Sequence, residues 1–489
     1  MQLVLSGHPF HFECENLCRV FFPYSPVKKT DTPETTDPLV CRAVIDELQG
    51  AYEYQVSLSS GEKKQEKTAV SPEKEEYTLT RLLFDLFCEF TGYRPPWGML
   101  TGIHPVKLLH QYTQQEGEEA AAKIFTERFA VSPEKLRLAQ ETLRVQEPVI
   151  RAIGENDFSL YIGIPFCPTR CSYCSFVAQS IEKSRSLMEP YFQLLLKEIE
   201  KTAQVAGETG LTLKSVYVGG GTPTTLSACQ LAELCETVYR CFDTRNCTEF
   251  TVEAGRPDTI TEEKLLTLKN AGVGRISINP QSLSDQVLRA IGRNHTAEDI
   301  YRAFEAASRV GIPSINSDLI AGLPEDTLET FRHTLDTVLS LGAGNVTVHC
   351  LALKRAASLD DHNRHDISLH AQGDLVASMV EESVVRLHEA GFQPYYLYRQ
   401  SRMAGNLENT GWAKDGDLCA YNIYTMDESV TVLACGAGAV SKIKDPYSNR
   451  LERIFNFKYP FEYITRNDEI LKRKDGVTGL YEQFRKRIH

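Results

Sequence analysis

The chain has 489 residues, a formal net charge of −12, 42% hydrophobic and 24% charged residues, enough for two or three domains around a large core and ordinary for a water-soluble globular protein. The acidic balance argues against nucleic acid as a general partner, since phosphate binding wants a basic face, so any anionic substrate must meet local cations. No run approaches the roughly 18 apolar residues of a membrane span. Met1-Gln-Leu-Val-Leu-Ser-Gly-His8 lacks the basic region and apolar length of a signal peptide, which predicts a cytoplasmic protein.

Residues 1–150 are predicted to form an α+β accessory domain, with mixed apolar segments over 3–12, 21–24 and 39–54 and a polar loop or hairpin over 57–76. Helical periodicity covers 78–91 and 134–152. Between them, Tyr93-Arg-Pro-Pro-Trp97-Gly-Met-Leu-Thr-Gly is dense in turn formers and suits either a cap over a ligand or a buried corner. Fourteen cysteines spread through a large acidic chain read as reduced thiols. Cys229, Cys235, Cys241 and Cys247, six apart, do not align on one helical face and read as packing residues, and Cys14 and Cys18 are assigned no metal.

From Ser159 the pattern alternates apolar runs with amphipathic helices, as βα units of a parallel sheet do. Strands are predicted at 160–164, 215–218, 249–253, 275–279, 314–320 and 345–350. Six units fit a partial (β/α)6 barrel over 151–365, whose chemistry would collect at the carboxyl ends of the strands. A helix over 369–390 opens a C-terminal lid or extension, 366–489, with further strands and a charged helical end after Phe457.

The first of these strands runs into Tyr161-Ile-Gly-Ile-Pro-Phe-Cys167-Pro-Thr-Arg-Cys171-Ser-Tyr-Cys174-Ser-Phe176. Three cysteines on one tight loop make a metal-site spacing, yet no nearby Cys or His completes the tetrahedron of a structural zinc. A 4Fe–4S cubane held by three thiolates keeps one iron open to an outside ligand. This spacing, with an aromatic residue before the third cysteine, resembles the radical S-adenosyl-L-methionine (SAM) superfamily. The flanking residues resemble its oxygen-independent coproporphyrinogen III oxidase branch.

That resemblance implies a cluster on Cys167, Cys171 and Cys174, with SAM chelating the open iron and split on reduction to a 5′-deoxyadenosyl radical. Gly219-Gly220-Gly221-Thr222-Pro-Thr resembles the family element that contacts the SAM amino group, implicating Gly220, Gly221 and Thr222. Glu253, in Thr251-Val-Glu-Ala, stands where the family grips the ribose diol. Gln281 and Arg293 match the pair that contacts a second SAM beside the first, a guanidinium fork suiting the methionyl carboxylate. Asp318, Ala352 and Val440 fall at further cofactor-side positions, and Tyr161 and Tyr173 at positions beside the cluster.

The likeness covers roughly 158–441. The N-terminal texture and Met403-Ala-Gly-Asn-Leu-Glu-Asn resemble the Z-type subgroup of coproporphyrinogen-oxidase-like proteins. Three departures stand out: Asn279-Pro280 in place of Gly-Val, Gly163 in place of His, and Cys174-Ser-Phe176 where established oxidases have CxC and heme chaperones have CxF.

The resemblance implies an anionic tetrapyrrole as substrate and a low-potential electron donor that the sequence does not name. Three activities stay open: oxidative decarboxylation of coproporphyrinogen III, heme delivery by a chaperone, and SAM-dependent methylation. For the substrate propionates the candidate cations are Lys354, Arg355, Arg399 and Arg402, the last two near Tyr395, Tyr396 and Tyr398. With no association pattern visible, the default is a monomer.

Overall fold

The computed structural model describes residues 1–23, 25–30, 39–352, 369–400 and 403–487. The chain divides into two compact units, residues 1–140 with 398–408, and 141–397 with 409–489. The boundary expected at 365–366 lies outside the described residues.

In the first unit, strand Gln2–Ser6 lies parallel to Val40–Leu48, which continues antiparallel through Ala51–Ser60 and Lys63–Ser71. The polar stretch is therefore a hairpin, its turn eased by Gly61 at φ +58°. Helices His11–Phe21 and Glu76–Thr91 cover one face of this sheet, packing Cys14, Leu17, Cys18, Leu83, Phe84 and Phe87 against Cys41, Tyr54 and Val56. Cys14 and Cys18 serve as small apolar core residues. Trp97 is a buried corner: its Nε1 donates to Glu408 Oε2 at 2.7 Å, and Glu408 also holds Lys135 at 2.6 Å.

The second unit contains one large sheet. Its centre is six parallel strands, in spatial order Asn345–Cys350, Ser314–Ala321, Arg275–Ser277, Glu249–Glu253, Thr212–Gly220 and Asp157–Ile164. Helices such as Ile181–Thr209, Ala228–Cys241, Ala297–Val310 and Leu328–Ser340 form the crossovers, the second capped by the Ser227–Gln230 box. This is the partial barrel of the sequence reading. The fourth strand stops at Ser277, two residues short of its predicted end, because Pro280 has no N–H to give and Gln281 turns to φ +64°.

Residues after 392 extend the same sheet at both edges. Gln393–Tyr398 and Asn409–Ala413 lie beyond the sixth strand, while Thr431–Cys435 pairs parallel with the first and continues through Val440–Lys444 and Leu451–Phe455. Tyr395 and Tyr396 are strand residues with buried rings, their hydroxyls bonded to Asn345 and Thr347. The C-terminal helix Asn467–Lys486 packs on Ile181–Thr209. Of the six-apart cysteines only Cys235 is fully buried, and Cys229 is exposed at the start of its helix, so packing accounts for the former and not the latter. Among the described residues no helix is long and apolar enough to cross a membrane.

Candidate functional site

The carboxyl ends of the parallel strands bring most of the sequence-predicted residues together. The first strand, buried on both faces, delivers Phe166 and Cys167 into the cysteine loop. That loop is tied at several points: Ser172 N donates to Ile291 O at 3.0 Å, Cys174 N to Cys171 O at 3.2 Å, and Thr169 Oγ1 to Gly292 O at 3.1 Å. Burial raises the Cys167 thiol to about 11 despite the Thr222 hydroxyl 3.4 Å from its sulphur, and burial likewise raises Cys174. These thiols are protonated at neutral pH and ionise on taking a metal, so loading the site releases protons.

The glycine turn after the second strand lies directly on this loop. Gly221 N donates to Ile164 O and Thr222 N to Phe166 O, both at 2.8 Å. A Cβ on Gly221 would stand 2.7 Å from Phe166 O, and one on Gly219 2.9 Å from the Glu253 carboxyl. The sequence reading attributes these glycines to close approach by a ligand. At Gly219 and Gly221 the close neighbours are the protein's own atoms, whereas Gly220 adopts φ +107° with the Tyr161 hydroxyl beside it.

Glu253 ends the third strand. Its carboxyl accepts from Tyr217 Oη at 2.6 Å, and burial outweighs that bond, raising it to about 7, with Asp318 adding repulsion. The Tyr161 ring is stacked with Tyr217 and Tyr421, and it lines one cavity with Ser175, Phe176 and Gly220. Tyr173 packs on Val287, Leu288 and Ile320, and its hydroxyl accepts from Arg293 Nη2 at 3.2 Å.

Arg293, 6% exposed, holds the loop after the fourth strand by donating from Nη1 to Asn279 O at 2.6 Å. Burial opposes its charge, and Tyr173 and Cys171 outweigh that, raising it above the usual guanidinium range. Asn279 explains how the Asn-Pro departure is accommodated: its side chain donates to Asp318 Oδ2 at 2.8 Å and accepts from Asp318 N at 3.2 Å. Gln281 N then bonds Asp318 O at 3.1 Å, leaving Gln281 Oε1 buried with no hydrogen-bond partner. Asp318 also accepts from Asn316 Nδ2 at 2.9 Å, so much of its carboxylate braces the loop. Ala352 follows the sixth strand and Val440 opens Val440–Lys444, both half-buried.

Arg399 departs from expectation as a substrate cation. It is 4% exposed, and its guanidinium donates to Leu100 O and to Asn406 Oδ1 while lying over the Trp97 ring. It is a structural cation of the first unit, held at about 10 by burial. Arg402, Lys354 and Arg355 lie outside the described residues. Sequence reasoning also missed Arg256, whose Nη1 stands 3.6 Å from Cys171 Sγ, and His295, buried and kept neutral at about 3 by burial and by Arg293 and Arg256.

A model of the radical SAM superfamily matches residues 161–338. The chain is 39% identical over 394 residues to the oxygen-independent coproporphyrinogen-III oxidase-like protein HemZ of Bacillus subtilis (strain 168), covering 80% of this chain and 78% of that relative. To the heme chaperone HemW of the same organism it is 39% identical over 197 residues, 40% of this chain and 51% of the relative. Coproporphyrinogen III oxidase (HemN) from Escherichia coli shares the fold, with TM-score 0.50 and 24% identity over 67% of this chain and 72% of that one.

Fold and site thus define a radical SAM protein. Within that class the chain belongs to the family of oxygen-independent coproporphyrinogen-III oxidase-like proteins, which use a 4Fe–4S cluster and SAM. The residues present fit both groups. Three thiols stand beside the buried cations Arg256 and Arg293, as an anionic cluster needs, and the unspent Gln281 Oε1 offers an acceptor to a polar ligand.

Proposed function

We propose that this protein removes two propionate carboxyl groups from coproporphyrinogen III without oxygen, giving protoporphyrinogen IX. The observation that carries the reading is the convergence of the three-thiol loop, the Glu253 carboxyl and the unspent Gln281 carbonyl at one end of a single sheet. The substrate class rests on the likeness to HemZ, which spans 78% of that relative.

Cys167, Cys171 and Cys174 would hold the cluster. Gly220, Gly221 and Thr222 would take the SAM amino group, Glu253 its ribose, and Gln281 with Arg293 a second SAM. Tyr161, Tyr173, Asp318, Ala352 and Val440 would line or brace the same space. When bound and reduced, cluster and SAM supply an adenosyl radical able to take a hydrogen atom from carbon. The propionate gives up a β-hydrogen atom, carbon dioxide and one electron to an acceptor, leaving a vinyl group. This chain's part is to orient both molecules and exclude water.

Heme delivery is the second reading, favoured by the exposed Phe176 of Cys174-Ser-Phe176 and by the HemW likeness. Anaerobic reconstitution with iron and sulphide, then reductant, SAM and coproporphyrinogen III, is expected to yield a product lighter by two carbon dioxides and four hydrogens, with no product when reductant is omitted. Mass spectrometry reads the result. Unchanged heme bound stoichiometrically would favour the chaperone, and a gained methylene a methyltransferase.

Glu253 gives this assignment a pH signature. With its carboxyl at about 7, it is neutral below that pH and a full acceptor above it. The groups facing it are Tyr217, Tyr161, Tyr421 and Asp318, and burial keeps the tyrosines neutral there. SAM affinity is therefore expected to rise with pH by nearly tenfold per unit below about 7 and then level off. In Glu253→Gln that step should vanish, as calorimetric titration from pH 5.5 to 8.5 reads (a range of about three units around the midpoint). Without SAM the sign reverses: the raised folded value favours the fold below the usual 4.5, and that contribution is lost as pH rises through about 7.

A further inference from the structure

Arg256 follows the third strand in Glu253-Ala-Gly-Arg256-Pro-Asp258 and is 3% exposed. Asp258 clamps it, accepting from Nε at 3.2 Å and from Nη2 at 3.1 Å, and the fork then spans the cysteine loop. Nη2 donates to Thr169 Oγ1 at 3.0 Å, and Nη1 donates to Thr169 O at 3.3 Å and to Cys171 Sγ at 3.6 Å. Cys167 receives a neutral hydroxyl, from Thr222 at 3.4 Å. The three ligands are thus unequal: among these contacts Cys171 has the clamped Arg256 guanidinium within bonding distance of its sulphur, with the buried Arg293 guanidinium as a second cation beside it.

A reduced 4Fe–4S cluster carries one more negative charge than the oxidised one. Hydrogen bonds to its sulphurs and nearby positive charge favour the reduced form and raise the potential, and burial strengthens the effect by excluding water. A guanidinium is suited to this, because it stays charged while its fork is fixed by Asp258. We propose that Arg256 sets the cluster's reduction potential through Cys171, with Asp258 as both its holder and a partial offset to its charge. In that role Arg256 makes the cluster easier to reduce by a donor of ordinary low potential. The inference requires the cluster alone and is independent of the tetrapyrrole reading.

The test uses the full chain, reconstituted anaerobically, with no SAM and no tetrapyrrole, so a failure of the proposed decarboxylation does not enter. Iron content and the midpoint potential of the cluster's one-electron couple are read by titration monitored with electron paramagnetic resonance. Arg256→Met is expected to keep its iron and lower the equilibrium constant for reduction about tenfold, which is ~59 mV more negative for one electron. Arg256→Lys keeps the charge without the fork and should fall between. Asp258→Asn removes the offsetting charge and should move the potential the other way. An Arg256→Met protein with full iron and an unmoved potential overturns the proposal. If that variant loses its iron, Asp258→Asn decides: a potential unchanged or more negative leaves Arg256 as a loop anchor only.

Discussion

Replacing Lys474 with methionine is expected to cost about 3–5 kcal/mol of unfolding free energy, because it strands a carboxylate that has no access to water. Glu198 and Lys474 are both buried and meet at 2.8 Å. Burial opposes the ammonium charge, yet Glu198 and the Cys435 sulphur outweigh it and hold Lys474 above its usual range. Glu198 also accepts from Gly436 N at 2.8 Å, Asn456 Nδ2 at 2.7 Å and Tyr463 Oη at 2.5 Å, and Lys474 donates to Ala434 O. The pair thus ties the Ile181–Thr209 helix, the C-terminal helix and the turn at Gly436 into one knot.

That turn matters to the site. Gly436, at φ +104°, lies so close to the first strand that a Cβ would stand 2.4 Å from Gly163 O, and Tyr191 Oη bridges Ala437 N and Gly163 O. The same turn walls a cavity of about 220 Å³ lined by Tyr161, Gly163, Gly221 and Ala437. Weaker SAM binding should accompany the lost stability. The double variant Glu198→Gln, Lys474→Met removes both charges while an amide keeps hydrogen bonds, and should recover most of the loss. Urea unfolding at neutral pH measures both. Equal midpoints for the single and double variants would show that the stranded charge is not the cause.

What the sequence made legible was local. The six parallel strands announced themselves as short apolar runs because both their faces are buried, and the cysteine loop and glycine turn are each contiguous. What it hid depends on partners far along the chain. Arg399 looked like a lid cation among tyrosines, but its acceptors are Leu100 O and Asn406, and no periodicity encodes that closure. Arg256 was not singled out at all, although Pro-Asp directly after it is the local hint of a clamped turn. The edge strands after residue 392 carried weak signals, since their register comes from the sheet they join.

Gly221→Ala is expected to destabilise the protein by about 1–3 kcal/mol and to weaken SAM binding at least tenfold, or about 1.4 kcal/mol. The reason is space, not conformation. The new methyl would meet Phe166 O at 2.7 Å, Ile164 O at 2.8 Å and Phe166 N at 2.9 Å, all backbone atoms that no rotamer change can withdraw. Relief requires the glycine turn to part from the first strand, which breaks the bonds from Gly221 N to Ile164 O and from Thr222 N to Phe166 O. Thr222 then carries its hydroxyl away from Cys167 Sγ, so the cluster loop and the proposed amino-group contacts shift together. Gly220→Ala separates the two causes: its neighbours stand back at 3.3–3.4 Å, and its cost comes from φ +107°. Gly207→Ala, exposed on the Ile181–Thr209 helix with nothing within 4 Å, is the control and should stabilise by roughly 0.5–1 kcal/mol. Thermal unfolding and calorimetric SAM titration of the three variants order the effects. A Gly221→Ala protein that binds SAM like the parent would show that the cluster loop and the glycine turn move independently.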